Sequence, residues 1–159
     1  MPGFLLLSPT GSGKSWACKN APFFVEFAID GDLLINWKFN WHKADWKAKD
    51  REHLDIVLDH MRKMEKCVCW NVGTTAIEDA LKDGRLSTDE VGVLVLPEHE
   101  HRNFVQKRNK AWPHDWKGAI EDRNLCENLT RDYRLPHFSS FADATEHVRA
   151  RLKPRRGTE

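Results

Sequence analysis

Phe4-Leu5-Leu6-Leu7-Ser8-Pro9-Thr10-Gly11-Ser12-Gly13-Lys14-Ser15 decides the reading of this chain. Phe4 to Leu7 is a short apolar run, the pattern of a buried strand. It runs straight into a glycine-rich loop, and Ser15 to Lys19 opens a helix, with Pro22 just past its end. A polyphosphate needs many donors brought close to it. Glycines let the backbone curl so that successive N–H groups point inward as a nest. The helix that follows adds its own N-terminal donors and dipole. Thr10, Gly11, Ser12, Gly13, Lys14 and Ser15 are therefore the expected nucleotide-binding residues. Lys14 would reach the outer phosphates, and the Ser15 hydroxyl would ligate Mg²⁺. ATP and Mg²⁺ are the implied cofactors. The usual pattern opens with glycine; Ser8 stands there instead, at a position that mainly eases the turn out of the strand.

The rest of the chain alternates between strand and helix patterns. Phe23 to Ile29 reads as a second strand, ending at Asp30-Gly31-Asp32. Leu33 to Lys66 reads as mostly helix, with Leu54, Val57, Leu58 and Met61 on one face. Cys67 to Val72 is a third strand, followed by a helix capped by Thr74 or Thr75 that ends near Gly84. Val91 to Leu96 is a near-continuous apolar run suited to the centre of a parallel sheet. Glu98 to Lys110 and Trp116 to Tyr133 read as helices separated by Pro113. Leu135 to Ser139 is a fifth strand, and Phe141 to Leu152 a closing helix. The expectation is an α/β fold, a parallel sheet of about five strands flanked by helices, in one domain over residues 1–152 with a basic tail over 153–159.

Lys plus Arg number 25 and Asp plus Glu 24, so net charge singles out no class of partner. No apolar run approaches the roughly 20 residues of a membrane helix, so no membrane partner is expected. Met1 to Leu7 is too short for a signal peptide and lacks its basic start. Cys18, Cys67, Cys69 and Cys126 form neither a zinc spacing nor a disulfide framework. They read as reduced core thiols, which places the chain in the cytoplasm.

No aspartate ends Val91 to Leu96, as it does in most motor proteins with this loop, and no Asn-Lys-x-Asp guanine-reading motif is present. These absences point to small kinases, whose chemistry is mostly positioning and electrostatics. Strand, phosphate loop, helix, then a second strand ending in Ala28-Ile29-Asp30-Gly31-Asp32-Leu33-Leu34 resembles the gluconate, shikimate and adenylylsulfate kinase group and the kinase half of polynucleotide kinase. The resemblance covers the first 35 residues well; beyond them it is architectural. It implies that Asp30 lies near the transferred phosphoryl group, where it orients or deprotonates the acceptor hydroxyl or holds the magnesium shell, with Asp32 in support. It also implies a helical lid after the fourth strand whose arginines clamp phosphate. Pro97 to Trp116 matches that segment, and Arg102 and Arg108 are the preferred clamps because guanidinium forks fit phosphate.

The acceptor site in such folds follows the second strand, here Asn36 to Lys49, where aromatic residues alternate with lysines. Aromatic faces stack on bases and lysines draw phosphates. Trp37 and Trp41 are thus candidate acceptor contacts, as is Asn71 at a strand end. The acceptor expected is a nucleoside, nucleotide or single-stranded nucleic acid. Trp37 and Trp41 are also four apart, which on a helix makes a face that packs on the sheet. The competing readings are a gluconate-like small-metabolite kinase and a non-catalytic nucleotide- or nucleic-acid-binding protein. His99 and His101 bracket Glu100 without a third metal partner, and read as solvated surface.

Overall fold

The computed structural model describes residues 2–73, 75–108 and 114–153. Thr74, Lys110, Trp112, Pro113 and most of the basic tail lie outside the described residues. Five parallel strands form one sheet: β1 (Phe4–Ser8), β2 (Ala28–Asp30), β3 (Cys67–Asn71), β4 (Val91–Leu94) and β5 (His137–Phe138), in the order β2-β3-β1-β4-β5. The helices are α1 (Lys14–Asn20), α2 (Trp46–Met64), α3 (Ala76–Asp83), α4 (Glu98–Arg108), α5 (His114–Tyr133) and α6 (Phe141–Leu152). The α/β fold expected from the sequence is the one observed.

Alternation along β1 splits the core in two, because successive side chains of a strand face opposite sides of the sheet. Leu5 and Leu7 enter a large cluster with Leu54, Val57 and Met61 of α2, Ile77 of α3 and Leu129 of α5. Phe4 and Leu6 enter a second cluster with Ala17 of α1, Phe24, and Ala144 and Val148 of α6. Cys18, Cys67 and Cys69 lie in that second cluster and Cys126 in the first, all four buried and unpaired by disulfides. Burial pushes the Cys126 thiol up to about 12.

Two elements differ from expectation. The second strand is only Ala28 to Asp30, because the preceding residues turn: the amides of Phe24 and Val25 both bond the Ala21 carbonyl, and that of Ala28 bonds Phe24. Of the aromatic residues that suggested a strand, Phe24 and Phe27 join the smaller core, while Phe23 is exposed. Phe24 is fully buried and packs edge-on against Phe27 and Phe141. The second difference is that residues 35–45 are not helical. Gly31–Leu34 makes one short 3₁₀ turn, and α2 begins only at Trp46. The side chains of Asn36 and Asn40 accept from the amides of Lys38 and His42. Such Asx turns compete with helical bonding. Asp45 then caps α2 by accepting from Ala48 N at 3.3 Å.

Parallel register aligns the strand ends. Ser8 stands opposite Asn71, and Asp30 opposite Cys69. The carboxyl ends of β1, β2 and β3 therefore share one edge, the edge where open α/β sheets bind ligands.

Candidate phosphate-binding site

The loop between β1 and α1 is built as a cradle. Gly11 and Gly13 have φ of 75° and 80°, a region other residues rarely adopt. Gly13 ends the loop as the residue preceding α1. The Ser12 hydroxyl is buried inside the turn, donating to the Pro9 carbonyl at 2.7 Å. Pro9, Thr10, Gly11, Ser12, Gly13, Lys14 and Ser15 line a cleft of about 350 Å³, with Asp32, Asn71, Phe104 and Arg108 around it.

Lys14 and Ser15 converge on one carboxylate. Lys14 Nζ lies 2.7 Å from Asp30 Oδ1 and 2.9 Å from Asp32 Oδ2. Ser15 Oγ donates to Asp30 Oδ2 at 2.6 Å, and the Asp32 amide donates to Asp30 Oδ1 at 3.0 Å. Burial alone would push the Asp30 carboxyl up. The bonds from Lys14 and Ser15 and the lysine charge outweigh it and hold Asp30 below the usual carboxylate range. Burial likewise disfavours the Lys14 cation, yet its bonds to Asp30 and Asp32 hold it above the usual lysine value. Gly31 lets the acidic turn lie against the Trp70 ring, which a Cβ there would overlap.

The Ser15 hydroxyl and Asp30 carboxylate fit a magnesium ion. Mg²⁺ prefers hard oxygens and is usually held by one or two carboxylates plus phosphates and water. Among the described residues no group of three His, Cys, Asp or Glu gathers to hold a metal unaided.

The two arginine candidates part company. Arg108 lines the cleft, its Nη1 3.6 Å from where a Gly11 Cβ would lie. Arg102 is exposed and is not among the lining residues. Helical period separates them: on α4, His101 and Val105 are buried toward the body, and Arg108 continues that side one turn on. Asn71 lines the cleft and turns its Oδ1 to the Gly73 amide.

Trp37 and Trp41 lie outside the cleft, on the loop before α2 rather than on a helix. Trp37 Nε1 donates to the Asp32 carbonyl at 2.9 Å, tying the loop to the acidic turn. The Trp37 and Phe39 rings stack on Trp41, with centroids at 5.8 and 5.1 Å, and Trp46 leans on Trp41 at 5.0 Å. Lys49 Nζ sits 4.8 Å over the Phe39 ring. Trp41 still exposes about half its surface (49%), and Lys38, Lys43 and Lys47 of the same stretch of sequence are exposed.

With this geometry, comparison with known proteins bears on the fold. No protein-family model matches the chain, and no curated protein matches it in sequence. In fold it is similar to a gluconokinase from Sinorhizobium meliloti 1021. The TM-score is 0.52 over 95% of this chain and 91% of that one, at 17% identity. The fold is of the P-loop NTPase type.

Sequence reading missed several residues at the loop. His101 is fully buried, not solvated surface; its Nε2 lies 2.7 Å from the Thr10 carbonyl. Asp122 Oδ2 accepts from the Thr10 amide at 2.9 Å, and Arg123 bonds His101 Nδ1 and the Leu96 carbonyl. The one available signal was helical spacing, since His101 and Val105 are four apart and bury together. Phe104, Trp16 and Phe141 were also missed. With Phe23, Leu96 and Ser140 they line an apolar pocket of about 210 Å³ that shares Ser12, Gly13, Trp16 and Phe104 with the phosphate cleft.

Among the described residues no helix is long and apolar enough to cross a membrane.

Proposed function

We propose that the chain is an Mg²⁺-ATP-dependent kinase that transfers a phosphoryl group to an acceptor hydroxyl beside Asp30. The observation that carries this reading is the convergence of Lys14 and Ser15 on Asp30 at the shared strand edge. The loop supplies backbone donors for the phosphates. The apolar pocket contiguous with the cleft suits the donor base. Lys14, released from Asp30 and Asp32 by the stronger charge of a triphosphate, would neutralise the outer phosphates, and Arg108 would approach them from above. Magnesium, when bound, would be held by the Ser15 hydroxyl with Asp30 reaching its water shell, and would offset the phosphate charge. Asp30, freed of the lysine, would then orient the acceptor hydroxyl and take its proton as the new bond forms.

For the acceptor, the half-exposed Trp41 and the exposed lysines interleaved with it in sequence support a nucleotide or single-stranded nucleic acid. A small hydroxylated metabolite is the second reading. The mutual stacking of Trp37, Phe39 and Trp41 favours it, since it covers part of those faces, and so does the fold likeness to a gluconokinase.

The test is transfer of label from γ-labelled ATP to nucleosides, nucleotides, plain and hydroxymethylated DNA, and sugar acids, with Lys14→Ala as control. Label in one acceptor class, lost in the variant, supports the kinase and names its substrate class. ATP bound without transfer to any member would favour a nucleotide-binding protein without turnover.

A further inference from the structure

Both backbone polar groups of Thr10 are claimed by side chains of the two helices over the loop. His101 of α4 lies 2.7 Å from its carbonyl, and Asp122 of α5 accepts from its amide at 2.9 Å. Arg123 donates to His101 Nδ1 at 3.2 Å and to the Leu96 carbonyl at 2.7 Å. The Trp116 ring meets the imidazole edge-on at 5.2 Å. A guanidinium can only donate, so Nδ1 accepts and Nε2 carries the proton that goes to Thr10.

We infer that His101 is a positioning residue for nucleotide binding, which it serves by aiming the Gly11 N–H into the phosphate cleft. The inference rests on reading the loop as the phosphate site. A trans peptide points its C=O and the following N–H in opposite directions. Holding the Thr10 carbonyl on the His101 imidazole therefore holds the Gly11 N–H on the side opposite the imidazole, and Gly11 lines the cleft. Gly11, at φ 75°, has no side chain to resist a flip of that peptide. The Asp122 contact fixes the preceding peptide in the same way, and Ser12 Oγ holds the Pro9 carbonyl. Both peptides flanking Thr10 are thus fixed, one by Asp122 and Ser12 and the other by His101, leaving the loop's inward donors pre-set for an anion.

The deciding pair of variants is His101→Gln and His101→Asn. Glutamine carries an amide nitrogen near the position of Nε2 and keeps the bond to Thr10. Asparagine places its amide near Nδ1, meets Arg123, and falls short of Thr10. Calorimetric titration with Mg²⁺-ATP and with inorganic tripolyphosphate should show His101→Asn weakened by about tenfold, the value of one lost hydrogen bond, and His101→Gln close to the parent. The Gly11 amide resonance should move in His101→Asn and stay in place in His101→Gln. Equal affinities and an unmoved Gly11 resonance in the two variants would overturn the inference. If Lys14→Ala binds tripolyphosphate as well as the parent does, the phosphate-loop reading itself fails, and the Gly11 resonance still decides what His101 does. Should His101→Asn not fold, the imidazole ¹⁵N shifts of the parent protein decide instead. A proton on Nε2 supports the inference, and a proton on Nδ1 overturns it.

Discussion

Asp30 carries the largest share of the chemistry proposed for this chain, and its setting makes the acid limb of activity a test. In the free protein, Lys14 and Ser15 hold its carboxyl below the usual range. When Mg²⁺-ATP, net negative even with its metal, draws Lys14 away, burial remains, the lysine charge is lost and the carboxyl rises. The acid limb of kcat, which reports the complex, should therefore lie at higher pH than that of kcat/KM, which reports free enzyme. A pH–rate series checks this, and coincident limbs would remove Asp30 as the titrating group. Asp30→Asn should lower kcat by roughly 10²–10⁴-fold with ATP affinity within a few-fold of the parent.

His101 permits a second check by the same logic. Burial and the Arg123 charge hold its folded pKa below the ordinary 6.5, against the opposing Thr10 bond. Below pH 6.5 the unfolded chain takes up a proton that the folded chain refuses, so stability falls with pH by up to about 1.4 kcal/mol per unit until the folded value is reached. Above 6.5 this contribution is constant. Asp122 and Asp50, whose carboxyls burial pushes up, work in the opposite direction. Subtracting the His101→Gln profile cancels them. Urea unfolding at pH 7.5 and 5.5 should show a larger loss in the parent than in the variant.

The loop over residues 35–45 is where the two proposed acceptor classes make different predictions. Its rings make a small cluster of their own, tied to the acidic turn through Trp37 and to α2 through His53, whose ring meets Trp37 at 5.0 Å. Were Trp41 to stack on an acceptor base, Trp41→Ala would lose about 1–3 kcal/mol of acceptor binding. Acceptor KM would then rise about tenfold or more while ATP KM held. Were it only to pack the loop, the same substitution would lower stability and leave acceptor KM nearly unchanged. Steady-state kinetics alongside a urea melt separates the two.

The sheet integrates these parts. β1 lies at its centre, feeds the glycine loop directly, and sends side chains into both cores. Leu6 is 1% exposed in the smaller cluster, which also seats α1 beneath the loop. Leu6→Ala should cost about 2–5 kcal/mol of stability, read from denaturant midpoints, and loosen the seat of α1 on which Lys14 and Ser15 stand. A cost under about 1 kcal/mol would mean that the cluster collapses to fill the gap.

The glycine loop, its flanking strand and helix, Asp30-Gly31-Asp32 and the strand–helix alternation were legible in the sequence because each is a local pattern. Gly11 and Gly13 answer a backbone demand, and Val91 to Leu96 announces burial on both faces by composition alone. Phe23 to Phe27 misled because aromatic residues suit an inter-layer core as well as a strand. Residues 35–45 misled because Asx turns compete with helix on equal local terms. Arg102 and Arg108 looked alike in sequence, and only the rotation of α4 set Arg108 at the cleft and Arg102 away from it. That Lys14 and Ser15 meet the carboxylate of Asp30, and that His101 and Asp122 grip Thr10 from about a hundred residues away, was decided by tertiary structure. Parallel register brings the ends of β1, β2 and β3 to one edge. Helix packing over that edge then chooses which polar groups lose water and must find partners among themselves.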